Sequence, residues 1–137
     1  MRYLLDTHTL IWLFENNPQL SDRVKLMIVN ESNELFISIA SWWEMTIKSS
    51  LGKLDLSLPL SELFAQKLIP SDIQILPIQL QHLAILQELP FHHRDPFDRI
   101  IIAQAIAENF TLMSTDRVFE NYQVSCDFLM SQQLRRK

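Results

Sequence analysis

Four acidic residues stand where apolar runs end or begin: Asp6 after Tyr3-Leu4-Leu5, Glu44 after Phe36-Ile37-Ser38-Ile39-Ala40, Asp98 ahead of Arg99-Ile100-Ile101-Ile102-Ala103, and Asp116 after Thr111-Leu112-Met113-Ser114-Thr115. Open α/β sheets gather ligands at the carboxyl ends of their parallel strands, so acids placed just past strand-like runs converge if those runs pair. Carboxylates a few Å apart raise one another's pKa unless a cation compensates them. An oxygen-only donor set favours Mg²⁺ or Mn²⁺ over zinc. The pattern points to a divalent-metal site.

Each acid also has a plain structural role to set against that reading. Asp6 can cap the helix that follows it, although a charge between Tyr3-Leu4-Leu5 and Leu10-Ile11-Trp12 needs compensation if it is buried. Glu44 lies three residues after Ser41, the capping-box spacing. Asp98 can complement a helix macrodipole, an effect of about 0.3–1 kcal/mol. Asp95, immediately before Pro96, is the more natural cap of that helix, which leaves Asp98 freer and keeps Asp95 open as an outer or substitute ligand. Asp116, between Thr115 and Arg117, also suits a turn.

The elements that must position these acids alternate between strand-like runs and helical patterns, the signature of βαβ units and a parallel sheet. Tyr3 to Leu5 reads as the first strand and Thr7 to Glu15 as a helix with Leu10, Leu13 and Phe14 on one face. Ser21 is placed to cap a second helix reaching about Asn30. Leu35 to Ile39 is the next strand, and Trp42 to Ser50 a helix that Gly52, the one glycine of the chain, terminates as a left-handed cap. A helix over Pro59 to Leu68, a strand over Ile73 to Leu76 and a helix over His82 to Glu88 follow. The closing third carries a helix from about Pro96 to Asn109, a strand over Thr111 to Met113, a turn at Asp116 and a short strand near Val124.

With 137 residues and no linker or internal repeat, the whole chain, 1–137, fits one domain. A composition 47% hydrophobic and 20% charged excludes a disordered chain. No apolar run approaches a membrane span and the start lacks the features of a signal peptide, so a cytoplasmic location is expected. The lone Cys126 cannot form an intramolecular disulfide and reads as a buried core thiol.

A net charge of −4 argues against a general nucleic-acid coat protein but not against a nuclease. Lys48, Lys53, Arg94 and Arg99 lie near the acidic blocks and can meet phosphate, whereas the basic tail Arg135-Arg136-Lys137 reads as a solvated end. With one glycine, dinucleotide and phosphate-loop motifs are excluded, and no Gly-x-Ser-x-Gly elbow is present. His8, His92 and His93 lack a zinc-type spacing partner. Trp12, Trp42 and Trp43 read chiefly as core or interface residues, and the tandem pair can place only one ring on the buried face.

The blocks Asp6-Thr7-His8-Thr9-Leu10-Ile11-Trp12, Ser38 through Lys48 with Gly52-Lys53-Leu54, His93-Arg94-Asp95-Pro96-Phe97-Asp98-Arg99, and Ser114-Thr115-Asp116 with Phe119 resemble the PIN-domain ribonucleases, and most nearly the bacterial VapC-like toxins of toxin–antitoxin pairs. The blocks occur in the family's order. The resemblance implies a three-layer α/β/α sandwich with a mainly parallel sheet, an acidic pocket for Mg²⁺ or Mn²⁺, and hydrolysis of RNA phosphodiester bonds. It places Asp6, Glu44 and Asp98 as the principal acids, Asp116 as a more variable fourth, and Ser114 as a supporting hydroxyl. It also implies a homodimer and a small antitoxin that docks over the pocket with a basic residue.

Two rival readings remain. A phosphomonoesterase with Asp6 as nucleophile resembles the haloacid-dehalogenase pattern Asp-x-Asp, but His8 stands where the second acid belongs. A catalytically silent PIN-like module that binds RNA or protein would retain the fold, and the presence of all the acids argues against it.

Overall fold

The computed structural model describes residues 1–114 together with the backbone of 126–128. Strand β1 (Arg2–Leu5) is followed by α1 (Thr7–Phe14) and α2 (Asp22–Val29), then β2 (Glu34–Ser38) and α3 (Ile39–Ser50). A short helix α4 (Leu60–Leu63) runs into a wider-turned helical segment, Phe64–Leu68. Strand β3 (Gln74–Leu76), helix α5 (Leu80–Glu88), helix α6 (Pro96–Glu108), strand β4 (Thr111–Ser114) and strand β5 (Cys126–Phe128) complete the order.

The strands form one sheet in the order β3-β2-β1-β4-β5, with every neighbouring pair parallel. Parallel strands need crossovers and are covered on both faces, and alternate residues supply those two faces. Tyr3, Leu5, Leu35, Ile37 and Met113 join one core with Leu10, Val24, Met45 and Leu63. Leu4 and Leu112 enter the opposite core, where Ile100, Ile101, Ile102, Ala103 and Ala105 of α6 lie. The result is the expected α/β/α sandwich.

Local chemistry explains where the helices start and stop. Asp6 accepts the Thr9 N–H at the start of α1, and Ser21 accepts the Val24 N–H at the start of α2. Asp95 accepts from the N–H groups of Phe97 and Asp98 at the start of α6, with Pro96 in the first helical position. At the end of α3 the Gly52 N–H reaches Ser49 O and the Lys53 N–H reaches Lys48 O, with Gly52 at φ 67°. That is a left-handed helix termination, strained for a residue with a Cβ. Asn109 closes α6 in the same conformation, at φ 57°.

Several expectations change. Ser41 does not cap the helix bearing Glu44: Ser38 does, accepting the Ala40 N–H, and α3 begins at Ile39, three residues before the expected start. The capping-box role of Glu44 therefore falls away, and Ser41 is fully buried within the first turn of the helix. The helix expected over Pro59 to Leu68 divides into α4 and the wider-turned segment. The strand expected near Val124 centres just beyond it, on Cys126–Phe128, and Val124 itself lies outside the described residues. The side chain of Cys126 lies outside them too. No helix among the described residues is long and apolar enough to cross a membrane.

Candidate active site

Strands β1 and β4 are neighbours, but the chain moves outward from β1 in opposite directions to β2 and to β4, so their carboxyl ends form the switch point at which an open parallel sheet leaves a crevice. Asp6 lies directly after β1 and Ser114 ends β4. The Ser114 hydroxyl donates to Asp6 Oδ2 at 2.5 Å, and the Thr9 N–H donates to Asp6 Oδ1 at 2.8 Å. Below them the Asp6 N–H and the Thr9 hydroxyl both donate to Met113 O, joining the two strand ends. Asp6 is thus a helix cap and a deeply buried acid together, 4% exposed. Burial pushes its carboxyl above the ordinary carboxylate range, with the donors from Ser114 and Thr9 opposing that shift.

Glu44 arrives from β2 by way of the second turn of α3 and is likewise 4% exposed. Thr7 Oγ1 donates to Glu44 Oε1 at 2.8 Å and stands 3.0 Å from Ser41 Oγ. The ammonium of Lys48, one turn further along α3, donates to Glu44 Oε2 at 2.8 Å. That hydrogen bond is the main cause of a raised Lys48 pKa, to which the charges of Asp95 and Asp98 add. Lys48 therefore remains an ammonium at neutral pH.

Asp98 comes from the opposite layer, on the first turn of α6. Its Oδ2 is 3.0 Å from His93 Nε2. The Asp95 N–H donates to His93 Nδ1 at 3.2 Å, which leaves the neutral ring's proton on the nitrogen facing Asp98. Asp98 is pushed up to about 7, first by burial and then by the charge of Asp95; His93 opposes the shift, while Asp6 and Glu44 add to it. The helices that carry Glu44 and Asp98 also meet through Trp43 and Phe97, each one residue earlier, whose rings contact edge to face at 5.1 Å between centroids.

The structure thus brings Asp6, Glu44, Asp98, Asp95, Lys48 and Ser114 to one electrostatic neighbourhood at the sheet's carboxyl edge. Asp116 lies outside the described residues. Arg99 is engaged elsewhere: it is 7% exposed, donates to the carbonyls of Pro90, Leu89 and Leu86, approaches His93 O at 3.5 Å, and lies over the Phe91 ring. Its charge satisfies the loop ahead of α6.

Of the tandem tryptophans, Trp42 packs on the core and against Phe64, while Trp43 is 58% exposed, the one-in, one-out division expected. Thr7, Thr9 and His93 contribute contacts that sequence reasoning did not assign. Thr7 and Thr9 had only their closeness to Asp6 as a signal, and His93 its place before the Asp95-Pro96 cap.

Among the described residues, no three Asp, Glu, His or Cys side chains stand in an arrangement that could hold an ion as placed. Each oxygen of the two buried acids already accepts a hydrogen bond. Thr7 and Lys48 take both oxygens of Glu44, and Thr9 and Ser114 take both oxygens of Asp6.

Comparison with known proteins agrees with this architecture. The family model of the PIN domain matches residues 3–124, and the chain belongs to that family. Ribonuclease VapC22 of Mycobacterium tuberculosis (strain ATCC 25618 / H37Rv) is 26% identical over 115 residues, covering 83% of this chain and 86% of that protein. Among solved structures, VapBC2 from Rickettsia felis bound to a DNA fragment from their promoter superposes with a TM-score of 0.71 at 20% identity, covering 93% of this chain and 98% of the other. DNA-bound VapBC from Salmonella typhimurium gives a TM-score of 0.72 at 17% identity, covering 94% and 98%.

Proposed function

We propose that this chain is a metal-dependent ribonuclease that hydrolyses RNA phosphodiester bonds as the toxin of a toxin–antitoxin pair in the cytoplasm. The observation that carries this reading is the meeting of Asp6, Glu44 and Asp98 at the switch point of the sheet, where the first two are buried and the third is pushed up to about 7 partly by its acidic neighbours. Membership of the PIN family and the likeness to a protein named a ribonuclease support it. The likeness to the VapBC structures and to a toxin–antitoxin complex from Klebsiella pneumoniae, TM-score 0.60, supports an antitoxin partner. A homodimer belongs to the same reading.

The donor chemistry fits a hard divalent ion. Carboxylate oxygens are the natural ligands of Mg²⁺ and Mn²⁺, and Asp98, raised first by burial, is raised further by the charges of Asp95, Asp6 and Glu44. Asp6, Glu44 and Asp98 would hold the ion, with Asp116 completing the set. The chemistry supplied there is activation of a water and stabilisation of charge on the phosphate oxygens.

The chain's own residues prepare that site. Ser114 and Thr9 fix the Asp6 carboxylate, Thr7 fixes one oxygen of Glu44, and His93 steadies Asp98. Such supporting partners keep ligands in register, and their loss typically costs metal sites about 10–100-fold. We assign Arg99 to holding the loop before α6 and Asp95 to capping the helix, so that both support Asp98 rather than contact substrate.

The test is cleavage of a panel of single-stranded and structured RNAs by protein freed of its co-purified partner, in Mg²⁺, in Mn²⁺ and in EDTA, with Asp6→Asn as control. Cuts that need the metal and vanish in the variant are the expected result. A folded protein that binds RNA but leaves its length unchanged in every metal would replace this reading with that of a silent binding module.

A further inference from the structure

Glu44 is buried, yet its charge is already matched within its own helix. Oxygen Oε1 accepts from Thr7 at 2.8 Å, and Oε2 accepts from the Lys48 ammonium at 2.8 Å. The Thr7 contact is between two buried residues, whereas the Lys48 side chain is 43% exposed. The two partners therefore differ in mobility. Thr7 is fixed by its place at the start of α1, but a lysine with a flexible stem and an exposed flank can turn into solvent without moving the backbone.

The position of Lys48 also matters. It lies one turn after Glu44 on α3, and Asp95 and Asp98 of α6 act on it as well, so its ammonium sits among the carboxylates that would surround a divalent ion. Arg99, the nearby cation on α6, is held by backbone carbonyls. Lys48 is thus the ammonium that stands in the acidic cluster among the described residues.

We propose that Lys48 is a built-in competitor for the divalent ion: its ammonium occupies Glu44 Oε2 when the ion is absent and must release that oxygen before Glu44 can serve as a ligand. This inference rests on the metal-dependent reading above and adds to it an exchange of one cation for another. Two cations of like sign cannot both stay close to one carboxylate without repulsion. Ion affinity is accordingly lower than the acids alone would give. The site is protected from its own repulsion while empty, and the protein folds without waiting for metal.

Mn²⁺ binding decides the matter, measured by calorimetry and by the electron paramagnetic resonance signal of free Mn²⁺, without RNA. The proteins are wild type, Lys48→Gln, Lys48→Arg and Asp6→Asn, each checked for folding by circular dichroism. Lys48→Gln should bind Mn²⁺ roughly three- to tenfold more tightly, the range expected when a charge-assisted hydrogen bond at a half-exposed position no longer has to be broken. Lys48→Arg retains the charge and should stay near wild type. Unchanged or weaker binding by folded Lys48→Gln, with wild type still binding and Asp6→Asn impaired, would overturn the inference and leave the metal reading in place. Absence of Mn²⁺ binding by every protein would overturn both.

Discussion

Helix α6 carries a histidine–carboxylate pair at each end, and the two pairs share a separation of 3.0 Å between Nε2 and a carboxylate oxygen. At the carboxyl end His82 is fully buried, its Nδ1 accepts the Gln79 N–H, and its Nε2 faces Glu108, which also accepts from Gln81. At the amino end His93 faces Asp98, but the other charges around that carboxylate include Asp95, Asp6 and Glu44. One carboxylate is surrounded by donors and the other shares its surroundings with acids. The same pair therefore closes a helix packing in one place and steadies an acid raised by burial and by its acidic neighbours in the other. What separates the two histidine–acid pairs is the remaining environment of the acid, not the contact itself.

The strongest way to break this comparison is Asp6→Asn. Asparagine caps a helix about as well as aspartate, and the native carboxylate is disfavoured by burial, so the thermal midpoint should hold or rise. RNA cleavage should fall on the order of a thousandfold, the equivalent of several kcal/mol of lost charge stabilisation. A variant that keeps full activity would remove Asp6 from the site.

His82→Ala should do the reverse. It deletes a fully buried ring and strands the Gln79 N–H, so urea denaturation should show a loss of about 2–4 kcal/mol. The cleavage rate per folded molecule should stay the same. A loss of activity without a loss of stability would erase the distinction between the two ends of α6.

The pH dependence of stability sharpens the other end. Asp98 rises from an ordinary 3.8 to about 7 in the fold, so the native state binds the more protons between those values. Stability of the ion-free protein must then fall as pH rises through that window. Thermal unfolding in EDTA from pH 4.5 to 7.5 should show that decline in the wild type and a flatter profile in Asp98→Asn. Identical profiles would mean that Asp98 is not the strained acid.

The smallest effect belongs to Glu108→Gln. The amide oxygen can still accept from His82 and Gln81, and the side chain is 26% exposed, so the cost should stay under about 1 kcal/mol. A larger loss in denaturation would show that the charge itself, rather than a hydrogen-bond acceptor, holds that end.

Much of this was legible along the chain. The apolar runs Tyr3 to Leu5 and Leu35 to Ile39 placed strands because a strand of a parallel sheet is buried on both faces and reads as a continuous apolar run. Asp95-Pro96 marked a helix start and Gly52 a helix end because caps depend on backbone within a turn. Acids at the ends of apolar runs were visible for the same local reason. The choice of Ser38 over Ser41 as cap was not: the capping-box spacing favours Ser41, but Ser38 ends β2 and accepts the Ala40 N–H, while Ser41 lies inside the helix and meets Thr7 of another.

The sequence by itself determined which segments are strands and helices and which acids follow them, since periodicity, capping and turn chemistry act over a few residues. Only the tertiary structure decided what each charge meets. Lys48 closes on Glu44, Arg99 turns to the carbonyls ahead of α6, and Thr7 and Ser114 reach acids that are 37 and 108 residues away. Those partners lie across layers of the sandwich, and a charge takes its energy from the groups within a few Å of it in space, at whatever distance along the chain they stand.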